Sequence, residues 1–391
     1  MSESSLPTSW KYLEFEQCLK SERGVRASAV QQSDYQKAGK IPVIDQGQKS
    51  IAGYVDNDES LYRGQLPVVI FGDHTRIFKY VDFPFAVGAD GTKILTPNDK
   101  VNGKFFYFTL SRLDIPNRGY NRHYKVLKEK FIPLPPLPEQ RSITAVLSKI
   151  QEAIAAQQEI IVRTRELKKA LMAKLFTEGL RGEPTKETEI GRVPESWEVF
   201  RLEQITTIER GKFSHRPRND PKFYGGDVPF IQTGDVTRSG GRISQFSQTL
   251  NELGLSVSRI FPKGTILITI AANIGDTGIL QFDSAFPDSI IGLTPFSEMD
   301  SEYLEYYLRT QKDTMDMLAP RGTQKNINIE FLKPWPVPTP SIAEQKEIAH
   351  VLNMLSEKEQ NAFQKKSNID DLFKTMLHEL MTGNIRTTGI M

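Results

Sequence analysis

The sequence predicts an α+β fold, with two strand-rich globular domains related by a pseudo-two-fold axis and joined by two long antiparallel coiled-coil helices. Three observations lead to this prediction: an internal duplication, short apolar runs interrupted by glycine and aspartate, and two long segments with a seven-residue apolar period. The chain has 391 residues, of which 38% are hydrophobic and 25% are charged. That length and composition suit two domains with apolar cores.

The duplication is visible at the beginning and at the end of each copy. Pro7-Thr-Ser-Trp10 matches Pro194-Glu-Ser-Trp197 at an offset of 187 positions. The copies close with Pro133-Leu-Pro-Pro-Leu-Pro-Glu-Gln140 and with Pro338-Thr-Pro-Ser-Ile-Ala-Glu-Gln345, at an offset of 205. Further matches lie between these points in the same order, so we interpret the chain as two copies of one unit.

The first part of each copy is predicted to be rich in strands. Leu66–Phe71 and Thr265–Ile270 are apolar or β-branched throughout, which is typical of buried strands. Asn273–Gly278 favours tight turns, and Ser301–Lys312 favours a helix. We place the two strand-rich domains at residues 1–138 and 195–340.

The second part of each copy is predicted to be one long helix. Residues 139–177 contain neither glycine nor proline, and the same apolar period returns after Pro340. Residues seven apart form one track in each helix: Ile143, Ile150, Gln157, Thr164 and Leu171 in the first, and Ile348, Leu355, Ala362, Ile369 and Met376 in the second. We expect Ala153, Ile160 and Leu167 to form a second track of the first helix, with Ile154, Ile161 and Leu175 widening the apolar stripe. Five heptads indicate a coiled-coil seam.

The ends of these helices set the remaining boundaries. Gly179 and Gly383 are expected at the helix C-termini, where a left-handed backbone favours glycine. The first spacer helix therefore covers 139–179, a polar linker covers 180–194, and the second helix with a C-terminal tail covers 341–391.

No complete catalytic motif appears in the sequence. The phosphate-binding glycine loops, the serine nucleophile elbow and the paired histidines of zinc sites are all missing, so we expect no catalytic residue, no metal and no cofactor. The single cysteine, Cys18, is expected to be a buried or half-buried thiol. We find no secretory signal and no apolar stretch long enough to span a membrane, and therefore expect no membrane association and a cytoplasmic location.

Clustered basic residues predict a nucleic-acid surface, although the net charge of the chain is only +2. Arginine and lysine neutralise phosphates, and arginine, asparagine and glutamine can bind base edges. The residues expected to contact DNA are Arg118, Tyr120, Asn121, Arg122 and His123 in the first domain, and Lys212, His215, Arg216, Arg218, Arg238, Arg242, Arg321, Gln324 and Lys325 in the second. Arg118 and Arg321 precede glycine at matching positions and are expected to play equivalent roles.

The repeated order of a tryptophan start, a strand-rich domain, a proline-rich Glu-Gln junction and a heptad helix resembles the specificity subunit of type I restriction–modification systems. The resemblance covers essentially the whole chain. It implies that the strand-rich parts are target recognition domains, each reading one half of a split asymmetric target in double-stranded DNA. It also implies that the helices dock two methylation subunits and that restriction subunits, with translocase and nuclease activity, join this core.

Two alternatives remain open at the level of the sequence. One is a DNA-binding or scaffold module that works without a methyltransferase, and the other is a single-chain restriction enzyme. The missing catalytic motifs argue against the enzyme. If the chain is a specificity subunit, helix length should set the distance between the half-sites, which would lie about one turn of DNA apart.

Overall fold

The computed structural model describes residues 7–20, 29–88, 91–117, 119, 122–271, 273–320 and 325–387. The chain divides into two compact units. Unit 1 comprises residues 1–158 and 364–391, and unit 2 comprises residues 159–363. The predicted α+β class, with two strand-rich domains and two long helices, is confirmed.

The strands of unit 1 form small sheets around apolar side chains. They are β1 (Lys11–Glu14), β2 (Ile41–Ile44), β3 (Gly53–Val55), β4 (Val68–Gly72), β5 (Phe78–Val81), β6 (Ala86–Val87), β7 (Thr92–Leu95) and β8 (Phe131–Leu134). Their orders are β1-β8, β3-β2-β6 and β5-β4-β7. The central strand β4 is buried along its whole length, because each of its faces is covered by apolar neighbours.

Helices α1 (Gly103–Ser111) and α2 (Tyr124–Lys128) complete the strand-rich part of unit 1. Asn102 caps α1 by accepting a hydrogen bond from the backbone N–H of Phe105 at 2.9 Å. Cys18 lies in the same core, as expected, and burial raises the pKa of its thiol to about 12.

Unit 2 repeats this organisation with larger sheets. After the hairpin β9 (Thr185–Thr188) and β10 (Gly191–Pro194) come β11 (Glu198–Arg201), β12 (Thr206–Arg210), β13 (Tyr224–Phe230), β14 (Arg242–Ile243), β15 (Gln248–Leu250), β16 (Ile260–Phe261), β17 (Ile266–Thr269), β18 (Thr277–Leu280), β19 (Ser284–Ala285), β20 (Ile290–Pro295) and β21 (Pro336–Thr339). The main sheets have the orders β12-β20-β17-β18-β14 and β15-β13-β19-β16, and β11 pairs with β21. The hairpin lies within residues 180–194, which we expected to be a linker.

The described helices of the chain after α2 are two long ones and several short ones. They are α3 (Leu137–Glu178), α4 (Leu202–Ile205), α5 (Thr233–Arg238), α6 (Glu252–Ser256), α7 (Ser301–Thr310), α8 (Lys312–Leu318), α9 (Ile329–Leu332) and α10 (Ile342–Thr382). Helix α3 begins two residues before the predicted start. Gly179 and Gly383 both have a positive φ after their helices, as predicted.

The duplication extends to the hydrogen bonds at the proline-rich junctions. In unit 1, Gln140 accepts from the backbone N–H of Asn102 at 2.8 Å and donates to the carbonyls of Lys100 and Pro135. In unit 2, Gln345 makes the same three bonds, to Asp300 N–H at 2.8 Å and to two carbonyls. Asn102 and Asp300 are the N-caps of α1 and α7. Each junction glutamine therefore fixes the start of a domain helix to the start of a long helix.

Segments of the two long helices pack together within each unit. In unit 1, Ile143 and Leu147 of α3 share a core with Leu380 and Met381 of α10. In unit 2, Leu175 shares a core with residues of α10 that include Leu352. Early residues of one helix meet late residues of the other, so the helices are antiparallel, as predicted.

The second track of the α3 seam differs from the prediction. Ile160 and Leu167 are exposed, whereas buried or half-buried residues recur in a 4-3 alternation along the helix. The observed second track is Leu147, Ile154, Ile161, Lys168 and Leu175. Ile154, Ile161 and Leu175 were expected in the apolar stripe, whereas Lys168 was not, because hydrophobicity does not favour a lysine at a seam position.

Candidate nucleic-acid interface

Several residues expected to contact DNA lie outside the described residues. These are Arg118, Tyr120, Asn121, Arg321 and Gln324. The structure places Arg122 at the surface of unit 1. In unit 2, Lys325 Nζ forms an ion pair with Asp316 Oδ2 at 2.7 Å.

His123 belongs to the interior of unit 1 and not to its surface. Its ring is fully buried, and its Nδ1 donates to the carbonyl oxygen of Asp73 at 2.9 Å. The Asp73 side chain in turn accepts from the backbone N–H of Tyr124 at 2.7 Å. These bonds satisfy buried polar groups at the start of α2. We correct the expectation for His123, because a buried ring held in this way does not face DNA.

The loop before β13 collects arginines around one carboxylate in unit 2. Arg216 Nη2 lies 3.0 Å from Asp288 Oδ2, and Arg218 Nη2 bonds to Asp288 Oδ1. Arg216 also donates to the carbonyls of Phe213 at 2.7 Å and His215 at 2.8 Å. Arg216 therefore holds the loop in shape, while Arg218 keeps donors that these bonds do not use.

The same loop carries His215 and Lys212. His215 Nε2 lies 3.5 Å from Asp220 Oδ2, and its ring centroid lies 4.2 Å from that of Phe223. A hydrogen bond from Lys222 lowers the pKa of Asp220, so this carboxylate stays ionised. Lys212 is exposed.

Arg238 lies on α5, next to a buried carboxylate that orders this part of unit 2. Arg238 Nη2 donates to Asp235 Oδ1 at 2.8 Å. The other oxygen of Asp235 accepts from the Ser247 hydroxyl and from the backbone N–H of Gln232, both at 2.9 Å. Asp235 thereby ties the beginning of α5 to the loop before β15.

Arg242 lies elsewhere in unit 2, in a cleft of about 490 Å³ that we call the Lys168 cleft. Residues of α3, α7 and α10 line it together with the loop at Gly240 and Gly241. Arg242 bonds to Glu302 there, and Lys168 Nζ donates to Ser356 Oγ at 2.6 Å. The structure therefore separates Arg242 from the cluster around Asp288.

A second concave surface lies beside Arg218, and we call it the amide hollow. It has a volume of about 430 Å³. It is lined by Phe213, Arg218, Asn219, Tyr224, Phe230, Gln232, Ser247, Gln248 and Pro287. Sequence reasoning singled out Arg218 in this set but missed the amide residues. Gln232 lies two residues after β13 and Gln248 begins β15, and only the pairing of these strands brings the two side chains together.

The sequence profile of the type I restriction modification DNA specificity domain family matches residues 9–163 and 194–370. The matched segments fall in the two copies and cover most of the chain. The chain belongs to the type I restriction–modification specificity family.

Known specificity subunits resemble this family member in sequence and in fold. The type I restriction enzyme MjaX specificity subunit of Methanocaldococcus jannaschii is 30% identical over 66% of this chain and 60% of its own length. The EcoR124I/EcoR124II specificity subunit of Escherichia coli is 22% identical over 83% of this chain and 81% of its own. The crystal structure of a type I S subunit from M. genitalium has the same fold, with a TM-score of 0.64 at 16% identity over 97% of both chains. The chain thus spans about 60% of the MjaX subunit.

Two further observations concern only the described parts of this specificity-family chain. In those ranges, no group of three His, Cys, Asp or Glu side chains could hold a metal ion. No described helix is both long enough and apolar enough to cross a membrane.

Proposed function

We propose that this specificity-family chain recognises a bipartite, asymmetric sequence in double-stranded DNA, with one half-site read by each strand-rich domain. The observation that carries the proposal is the repeated junction, in which Gln140 and Gln345 make matching bonds between a domain and a long helix. Two similar readers on paired helices suit a target with two separated halves.

The proposed DNA contacts come from the basic and amide residues of both domains. Phosphate contacts fix the position of a protein on the duplex, and contacts to base edges supply specificity. The contacts that we propose, with His123 left out, are Arg118, Tyr120, Asn121, Arg122, Lys212, His215, Arg216, Arg218, Arg238, Arg242, Arg321, Gln324 and Lys325.

We also propose that the long helices bind methylation subunits and that restriction subunits join the complex. Apolar side chains exposed on the helix segments of unit 2 support this: Ile160, Val162, Leu167, Met354 and Phe363, of which Phe363 is 62% exposed. Ile160 and Leu167 are seven residues apart and therefore share one face of α3, which suits contact with a partner. Methylation and cleavage would then be carried out by those partners in the cytoplasm, and this chain would contribute recognition.

Mapping methylated adenines in the host genome tests the proposal. We expect one bipartite methylated sequence, with two fixed halves and a run of unspecified base pairs between them, in cells that carry the gene. Deletion of the gene should remove methylation at that sequence, and the intact gene on a plasmid should restore it. An unchanged methylation pattern after deletion would contradict the proposed function.

A further inference from the structure

The amide hollow combines polar groups at its rim with an apolar floor. Phe213 and Phe230 are almost fully buried, and their ring centroids lie 5.2 Å apart. The ring of Tyr224 stacks on Phe213 at 5.9 Å. Because these rings hold one another in place, the floor of the hollow is fixed, and the half-buried ring of Tyr224 is the one that a ligand can contact.

Two glutamines at the rim form a hydrogen-bonded pair. Gln232 Nε2 donates to Gln248 Oε1 at 2.8 Å. This bond leaves Gln232 Oε1 with accepting capacity and Gln248 Nε2 with N–H donors. If both amides turned over together, one acceptor and one donor would still remain. The glutamine pair therefore offers one hydrogen-bond acceptor and one donor to a ligand in every arrangement that preserves the bond between the two side chains.

The backbone fixes the position of this pair. Gln248 lies opposite Phe230 in the antiparallel register of β13 and β15. The backbone N–H of Gln232 is bonded to Asp235, and so is the hydroxyl of Ser247, both at 2.9 Å. Fixed side chains lose less conformational entropy when they bind a ligand.

A positive charge lies at the edge of the hollow. Arg218 bonds to Asp288 through Nη2 and keeps further N–H donors. Asn219 beside it is exposed. This edge suits a phosphate of the DNA backbone and would place a base pair over the glutamine pair.

We propose that the amide hollow reads one A·T base pair in the half-site of the second domain. Gln232 Oε1 accepts from adenine N6, Gln248 Nε2 donates to adenine N7, and the C5-methyl group of thymine contacts the half-buried ring of Tyr224. A guanine would place O6, a second acceptor, against Gln232 Oε1, and its cytosine has no methyl group. The inference rests on the proposed function, because it assigns a base pair to a domain that reads DNA.

Selection from random DNA duplexes tests this assignment. The complex is purified from its host through a tag on the full-length chain, with either the wild-type sequence, Gln232→Met or Gln248→Met. We expect the wild type to select A·T at one position of one half-site, by about 10- to 100-fold over other pairs. Both variants should lose that preference and keep every other position.

A matched control and a DNA modification sharpen the experiment. Gln245 is exposed and lies three residues before Gln248, but it does not line the hollow, so Gln245→Met should select the wild-type sequence. Replacing the assigned thymine by deoxyuridine removes only the methyl group and should weaken wild-type binding about fourfold.

The outcomes separate the two proposals. If the wild type selects no bipartite sequence, the proposed function fails. If it selects one but the glutamine variants keep every preference, only the assignment of the hollow fails. The assignment of the hollow would also be overturned by a glutamine variant that selects neither half-site but has an unchanged melting temperature. In that case the glutamines would support DNA binding in general and not the recognition of one base pair.

Discussion

Lys168 is a charged residue in an unusual environment, because it occupies a seam position of α3 and is only 9% exposed. Its Nζ donates to Ser356 and lies 5.1 Å from the ring centroid of Tyr306. Burial lowers its pKa to about 8, and the positive charge of Arg309 acts in the same direction. No described carboxylate forms an ion pair with it. The protonated lysine therefore opposes folding of unit 2.

The stability of the protein should depend on pH through this lysine. Because the folded-state pKa is depressed, the unfolded chain binds the proton more tightly. The destabilisation is complete below about pH 8 and disappears as the pH rises towards the ordinary lysine value of 10.5. We expect Lys168→Met to raise the free energy of unfolding at pH 7, by roughly 2–3 kcal/mol, and to have a smaller effect at pH 10.

Urea unfolding at several pH values measures this effect. The exposed neighbour Lys169 provides the control, and Lys169→Met should show no such pH dependence. A constant difference between the wild type and Lys168→Met from pH 7 to pH 10 would contradict the assigned pKa.

At the scale of elements, the two junction glutamines explain why a Glu-Gln pair follows each proline-rich strand. Both glutamines are buried, and each bonds to a helix N-cap residue and to two carbonyls. The preceding glutamates have different partners. Glu139 binds Trp10 and Arg386, whereas Glu344 accepts from the backbone N–H of Leu180. The duplication therefore preserves the glutamine contacts more closely than the glutamate contacts.

Replacing either junction glutamine should destabilise the protein. Gln345→Leu leaves a buried N–H and two carbonyls without their partner, and we expect a loss of about 2–4 kcal/mol in the free energy of unfolding. Gln140→Leu should have a similar effect in unit 1. Gln364→Leu, at an exposed position of α10, should change stability by less than about 0.5 kcal/mol. Equal urea midpoints for Gln345→Leu and Gln364→Leu would show that the junction hydrogen bonds do not contribute to the stability of the protein.

The sequence predicted the elements better than it predicted the candidate site. The long helices follow from local apolar patterns and their ends from Gly179 and Gly383, and the structure confirms both, while the strand predicted at Leu66–Phe71 lies at Val68–Gly72. The seam position of Lys168 was missed, because hydrophobicity alone favoured Ile160 and Leu167, which are exposed. The Gln232–Gln248 pair was also missed, since strand pairing brings the two residues together and no local pattern marks them.

At the scale of the whole molecule, both long helices contribute residues to both units, and the chain passes from one unit to the other within a helix. A helix has a fixed length of 1.5 Å per residue, whereas the end-to-end distance of a flexible linker varies. We therefore infer that the helices, and not the linker at 180–194, set the distance between the two proposed half-sites.

Lengthening both helices by one heptad, after Gln157 in α3 and after Lys366 in α10, tests this claim most directly. One heptad adds about 10 Å of helix and keeps the seam in register. Adenine methylation mapped in cells with this variant should show the same two half-site sequences, separated by up to about three more base pairs, because about 10 base pairs span about 34 Å of DNA. The same seven residues inserted after the exposed Gly182 should leave the gap unchanged. An unchanged gap in the lengthened variant, or altered half-site sequences, would contradict the account.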